Sequence, residues 1–257
     1  MMVPTPSGDA RVDLDRPAGE PRGLLVLGHG AGGGVEAPDL VAVAAAAVQA
    51  GLAVARVTQP YRVAGRRSPP RAPVLDAAWL AVVAHLRTQS AGPAGAAVPA
   101  DVGSAGSAGV ASRAGPRPRS ASRAAPRVGG RGGMDSAERL LGDLPLVVGG
   151  RSSGARVACR TATEVGAAAV VALAFPTRAP GRPDRDRLDE LAMPTVPVLV
   201  VQGDRDPFGV PPPARGRTVH LIAGGTHALR GPAAGAAAAA VVGWLIPLVG
   251  TGTRSRG

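Results

Sequence analysis

Short runs of Val, Leu and Ala alternate along this chain with stretches whose apolar residues recur at helical spacing, and no other feature constrains the fold as much. Strand-like runs are predicted at Leu24–Gly28, Ala53–Val57, Leu144–Val148, Ala168–Ala174, Val196–Val201 and Thr218–Ile222. Between them fall helical patterns at Pro38–Ala50, Val74–Arg87, Ala155–Glu164, Asp184–Leu191 and Pro232–Val249. In the second of these, Leu75, Trp79, Val82, Val83 and Leu86 make one apolar stripe. Strands that are apolar on both faces need cover on both faces, so the pattern predicts an α/β fold: a mainly parallel sheet with helices on each side.

One region breaks the alternation. From Gln89 to Gly133 the chain holds no Leu, Ile, Met, Phe, Tyr or Trp, and carries six arginines against Asp101 alone. Such a segment cannot build a core, and periodic segments resume after it, so it is expected to be a low-complexity insert at 89–133. The expected organisation is a disordered N-terminus at 1–10, one domain over 11–250 that contains the insert, and a disordered tail at 251–257.

The net charge of +11 raises the question of a nucleic-acid partner. The arginine-rich insert has no interleaved aromatic residue for base stacking, so no nucleic acid is expected; a protein partner through the insert is the open alternative. All 29 basic residues are arginine, which excludes Schiff-base lysines, pyridoxal-phosphate attachment and the phosphate-loop lysine. The one cysteine, Cys159, excludes an intrachain disulfide and a Cys-rich zinc site and is expected to be buried. Residues 1–10 do not read as a secretory signal, so a cytoplasmic location is expected. Gly231–Gly250 has the length of a membrane span, but Ala and Gly dominate it and Pro247 interrupts it; it is read as a terminal helix on the sheet.

The run Leu144–Val148 leads into Gly149-Gly150-Arg151-Ser152-Ser153-Gly154 and then a helical pattern. Gly150-x-Ser152-x-Gly154 in that context is the strand–turn–helix elbow that presents a nucleophilic serine, with Gly150 and Gly154 shaping the turn. A serine hydroxyl needs a base, and the base needs an orienting acid. Two carboxylates, Asp204 and Asp206, follow the run Val196–Val201, and His227 follows Thr218–Ile222 in a glycine-rich loop. All would lie at the C-terminal edge of a parallel sheet, with Asp206 the favoured acid and Asp204 closer to the strand. Oxyanion donors would be the amides of Ser153 and Ala31, the latter from Gly28-His29-Gly30-Ala31-Gly32-Gly33-Gly34, in which His29 and Gly30 shape the loop.

The same loop imitates a dinucleotide fingerprint as Gly28-x-Gly30-x-x-Gly33, which keeps a nucleotide-dependent oxidoreductase as a weaker alternative. Against it, Gly34–Ala37 separate the glycines from the next helical pattern, and Arg56-Val57-Thr58-Gln59-Pro60 has no acid for a ribose. His85 and His220 are read as structural. Arg151, Arg156, Arg178 and Arg205, near the predicted sheet edge, would favour an anionic substrate.

Taken together, Gly28–Gly33, Gln59-Pro60-Tyr61 with Gly65-Arg66-Arg67, Gly149–Gly154, Phe175-Pro176 with Pro180–Pro183, Gln202–Asp206 and Gly225-Thr226-His227 resemble small capless α/β-hydrolases of the dienelactone-hydrolase-like branch. They are also similar to the hydrolase-like domain of a subunit of the nonspecific-lethal histone-acetyltransferase complex. Thr177-Arg178 stands where this branch tends to carry Leu-His. The resemblance implies a serine hydrolase with Ser152, Asp206 and His227 as its triad, a small-molecule acyl substrate, and no cofactor or metal. A non-catalytic scaffold of the same fold is the alternative from another class.

Overall fold

The computed structural model describes residues 1–91, 140–179 and 182–250, all of which belong to one compact unit. The greater part of the expected insert and the whole of the tail at 251–257 lie outside the described residues. The first three residues of that insert belong to the fold: Ala91 is buried, and Leu141 N–H donates to Gln89 O (2.8 Å).

Strands β1 (Met2–Val3), β2 (Ala10–Asp15), β3 (Leu24–Gly28), β4 (Ala53–Thr58), β5 (Leu146–Arg151), β6 (Ala169–Leu173), β9 (Val198–Gly203) and β10 (Arg217–Ile222) form one sheet in the order β1-β2-β4-β3-β5-β6-β9-β10. From β4 to β10 every pair is parallel; β1 and β2 run antiparallel at one edge. The helices are α1 (Pro38–Gln49), α2 (Pro60–Val63), α3 (Ala72–Arg87), α4 (Ser153–Thr161), α5 (Leu188–Ala192) and α6 (Pro232–Gly250). Proline stands in the first turn of α1, α2 and α3, where its missing N–H costs no hydrogen bond.

Period-two alternation sorts the strand residues into two cores. Leu24, Val26, Ala55, Val148, Val170 and Val200 face α3 and α4, with Trp79 and Phe175 fully buried among them. Leu25, Leu27, Val54, Val147, Val171 and Leu199 face α1 and α6. In α6 the stripe Ala237, Ala238, Val241, Leu245 and Val249 is buried in this second core. That helix is also long and apolar enough to cross a membrane by length and composition alone.

The parallel core therefore follows the sequence pattern, while three expectations need correction. Residues 1–10 are not disordered: Met2↔Arg11 and Val3↔Ala10 pair in the sheet, and Val3 and Ala10 are buried. The cause is the alternation Ala10-Arg11-Val12-Asp13-Leu14, which makes a half-buried antiparallel strand on β4 that β1 then pairs with. The charged segment Asp184–Leu191 is not one helix. Its first part belongs to a hairpin of β7 (Arg178–Ala179) and β8 (Arg182–Asp186), and α5 begins only after Asp186 Oδ1 accepts from Leu188 N–H (2.5 Å). Finally, the run from Leu144 enters the sheet at Leu146, because Leu141–Asp143 make a 3₁₀ turn in which Asp143 Oδ2 accepts from Leu140 N–H (2.9 Å).

The chain runs from β3 to β4 on one side and then crosses to β5 on the other. Loops leaving the C-terminal ends of β3 and β5 diverge there, opening the crevice that an open parallel sheet offers to a ligand. Among the described residues, only the β7–β8 hairpin and five-residue α5 lie between β6 and β9, so no helical cap domain is inserted there.

Candidate active site

Ser152 sits between β5 and α4 with φ 53° and ψ −107°, a conformation that costs an L-residue roughly 1–3 kcal/mol. Its neighbours hold it there. Ser152 N–H donates to Leu173 O (2.9 Å) on β6, and Arg156 N–H donates to Ser152 O (3.2 Å) as α4 begins. The turn is tight enough that a Cβ on either Gly150 or Gly154 would run into the backbone of Gly28. Gly28 itself has Gly154 Cα and Trp79 Cζ3 each 3.2 Å from where a Cβ would stand. Three glycines thus let β3, β5 and α4 converge under the serine.

Above this elbow, His227 Nε2 lies 3.1 Å from Ser152 Oγ, and His227 Nδ1 lies 2.8 Å from Asp206 Oδ2. A carboxylate can only accept, so Nδ1 carries the proton and Nε2 accepts from the serine hydroxyl. The Asp206 side chain is fully buried. Its Oδ2 also accepts from Gln202 Nε2 (2.8 Å) and its Oδ1 from Phe208 N–H (2.9 Å). The Phe208 ring meets the imidazole edge-on with centroids 4.6 Å apart. Of the two candidate carboxylates, Asp206 is the one that meets the histidine, and Asp204 is exposed.

His29 is turned into the fold and is only 3% exposed. Nδ1 donates to Gly30 O (2.8 Å) and Nε2 accepts from Gln59 N–H (3.1 Å), so both ring nitrogens fix the loop after β3. Burial pushes the His29 imidazole below its ordinary pKa, consistent with a neutral ring in these two bonds. Tyr61 Oη donates to Ala31 O (2.7 Å), and burial raises its pKa, keeping the proton on. Ala31 and Ser153 both line the cleft beside Ser152. Ser153 is the first residue of α4, so its amide has no acceptor within the helix and lies at the positive end of the helix dipole.

The cleft is about 490 Å³. Arg151 and Arg156 line it, but each is engaged: Arg151 Nε lies 2.8 Å from Asp39 Oδ2, and Arg156 holds Glu190 with two bonds of 2.6 Å. Arg178 and Arg205 are exposed and do not line it. Arg187 and Arg230 also line it, though neither stands out in the sequence, and among the described residues no Asp or Glu does.

Two further contributors lack an obvious sequence signal. Gln202, fully buried, donates to Phe175 O (3.2 Å) and Gly209 O (2.9 Å) as well as to Asp206. Thr177 Oγ1 donates to Phe208 O (2.6 Å), so the segment where Leu-His was expected braces the loop carrying the acid. Cys159 is buried in α4 and its thiol is pushed up to about 12 by burial, which leaves it un-ionised. His85 contacts Gln89 (3.3 Å), and His220 is exposed on β10. Among the described residues no group of three or more His, Cys, Asp or Glu is gathered for a metal.

The loop Gly28–Gly34 does not open a helix, as a dinucleotide site requires: Gly33 N–H turns back onto Gly30 O (3.1 Å), and α1 starts only at Pro38. Solved structures share the fold. A lidless α/β serine hydrolase from Xanthomonas campestris covers 100% of this chain and 95% of its own, with TM-score 0.62 at 15% identity. Est1E from Butyrivibrio proteoclasticus covers 98% and 99%, with TM-score 0.63 at 16% identity. A dienelactone hydrolase from Anabaena variabilis covers 96% and 95%, with TM-score 0.59 at 18% identity. No curated protein matches the sequence. The sequence model of the alpha/beta hydrolase domain matches residues 21–98 and 133–237, and because those segments are more than half of the chain, the protein belongs to that family.

Proposed function

We propose that this protein is a serine hydrolase of esters or related acyl compounds, working through an acyl-enzyme on Ser152. The observation that carries the reading is the continuous chain Ser152 Oγ, His227 Nε2, His227 Nδ1, Asp206 Oδ2, with links of 3.1 and 2.8 Å. As Oγ attacks the acyl carbon, its proton passes to Nε2 and the imidazolium is held by Asp206. The carbonyl oxygen becomes an oxyanion facing the amides of Ala31 and Ser153. Collapse returns the proton from Nε2 to the leaving oxygen. Water then gives its proton to Nε2, attacks the ester on Ser152, and releases the acid and the free serine.

The walls of the cleft support a narrower substrate class. Arg230 lines a cleft in which, among the described residues, no carboxylate stands, and this favours an acyl compound bearing a second, anionic group. In support, the dienelactone hydrolase and serine hydrolase named above share this fold. The test is turnover of p-nitrophenyl acetate beside a p-nitrophenyl monoester of a dicarboxylic acid. We expect kcat/KM for the anionic ester to fall about tenfold in Arg230→Ala and with added salt, the acetate moving little. Equal loss for both esters would remove the anion preference. No turnover of either ester, with Ser152→Ala as the blank, would argue for a scaffold.

A further inference from the structure

We propose that Arg151, through its ion pair with Asp39, is a positioning residue that locks the His227 segment onto the serine elbow. The inference rests on the hydrolase reading given above. Arg151 is the last residue of β5, and its backbone is already fixed by pairing with Leu173. Its guanidinium therefore has no task in the sheet. Nη2 donates to the backbone carbonyl of His227 at 2.7 Å. Nε lies 2.8 Å from Asp39 Oδ2 in the first turn of α1. Nη1 lies against the oxyanion loop, 3.1 Å from where a Cβ on Gly30 would stand. One rigid fork beside the nucleophile thus holds two segments that are far apart in the chain and stands beside a third.

This arrangement is a poor way to gain stability. Asp39 is fully buried, and burial raises its carboxyl pKa even though Arg151 opposes the shift. Charge is the larger part of what Arg151 Nε offers Asp39 Oδ2 across 2.8 Å. Apolar or neutral side chains of similar size commonly replace such a pair without loss of stability. What they cannot replace is the N–H held on the His227 carbonyl. That bond fixes the main chain of the histidine, while Asp206 and Phe208 fix its ring. Lysine would bring one point charge in place of a planar fork and could not keep both contacts in this geometry.

The experiment separates positioning from structure by removing the pair together. Arg151→Met alone leaves the Asp39 carboxylate buried and unpaired, so the melting temperature falls. Asp39→Asn/Arg151→Met keeps an acceptor for Leu40 N–H and removes both charges, so the melting temperature returns towards the parent. The rate of fluorophosphonate labelling at Ser152 is expected to stay down in the double variant by about 30-fold, with kcat for p-nitrophenyl acetate reduced far more than KM is raised. Arg151→Lys should fall between. The downfield proton resonance of His227 Nδ1–H should shift or broaden in the double variant. Labelling that recovers together with the melting temperature, or full activity in Arg151→Lys, would overturn the proposal. A parent that neither labels nor hydrolyses would defeat the hydrolase reading instead; an unchanged Nδ1–H resonance in the double variant would then still overturn this one.

Discussion

Two arginines flank the serine elbow, Arg151 just before Ser152 and Arg156 four residues after it, and the fold uses them for different ends. Arg156 grips Glu190 of α5 with both N–H groups; one turn on, Arg160 reaches Glu190 (3.1 Å) and holds Asp76 of α3 at 2.9 and 2.6 Å. These four side chains are 12–23% exposed, and they staple three helices together on the outside of the core. Arg151 instead reaches inward to a carboxylate with no exposure and to the backbone of the candidate base. The same residue type, within one turn of the same serine, serves packing in one case and the geometry of reaction in the other. What separates them is the segment on which each partner stands.

That contrast can be broken at several points. The largest effect is expected from Asp206→Asn, which leaves both arginine clusters intact but gives His227 the wrong tautomer. Ester turnover should fall by about 10⁴ with the melting temperature little changed. Next, Arg160→Met should do the reverse of the Arg151 variants. It leaves Asp76 without its partner and should cost about 2 kcal/mol in urea unfolding, while labelling of Ser152 stays within about twofold of the parent. A labelling loss as large as in Arg151→Met would erase the distinction between the clusters.

A smaller effect separates the clusters by pH. Burial works against the Glu190 charge, but Arg156 and Arg160 outweigh it and hold the carboxyl below its ordinary 4.5. In the unfolded chain Glu190 takes up its proton first, near 4.5, so its contribution is present above that pH and is lost as pH falls through the lower folded value. The stability gap between parent and Arg160→Met should therefore narrow in acid. The smallest effect concerns His29. Its folded pKa lies below the ordinary 6.5, so the unfolded state binds more protons in the window beneath 6.5 and stability declines as pH falls through it. Unfolding midpoints followed from pH 7.5 to 5 should show a shallower decline in His29→Asn than in the parent. Parallel slopes would mean that His29 does not hold its neutral form.

How much of this the sequence made legible depends on how locally each feature is encoded. The parallel core was legible because buried strands such as Leu24–Gly28 are apolar throughout and helices such as Ala72–Arg87 carry a stripe of period 3.6. The elbow was legible because its glycines answer a steric demand within five residues. The N-terminal strand was harder to read, since an edge strand alternates over few residues and Pro4 and Pro6 look like a loop. The β7–β8 hairpin hid within a charged run that also suits a helix. Partner choice was not legible at all. Nothing local to Arg151 names Asp39 or the His227 carbonyl, and nothing in Gln202 announces three acceptors from two other segments. Such side chains take their roles from chain crossings that only the assembled sheet creates.

Labelling of the purified protein by a fluorophosphonate tests most directly whether Ser152 is an activated nucleophile. One covalent adduct is expected at Ser152, absent in Ser152→Ala and slowed by orders of magnitude in His227→Ala. A folded parent that stays unlabelled, or a His227→Ala variant that labels as fast as the parent, would contradict it.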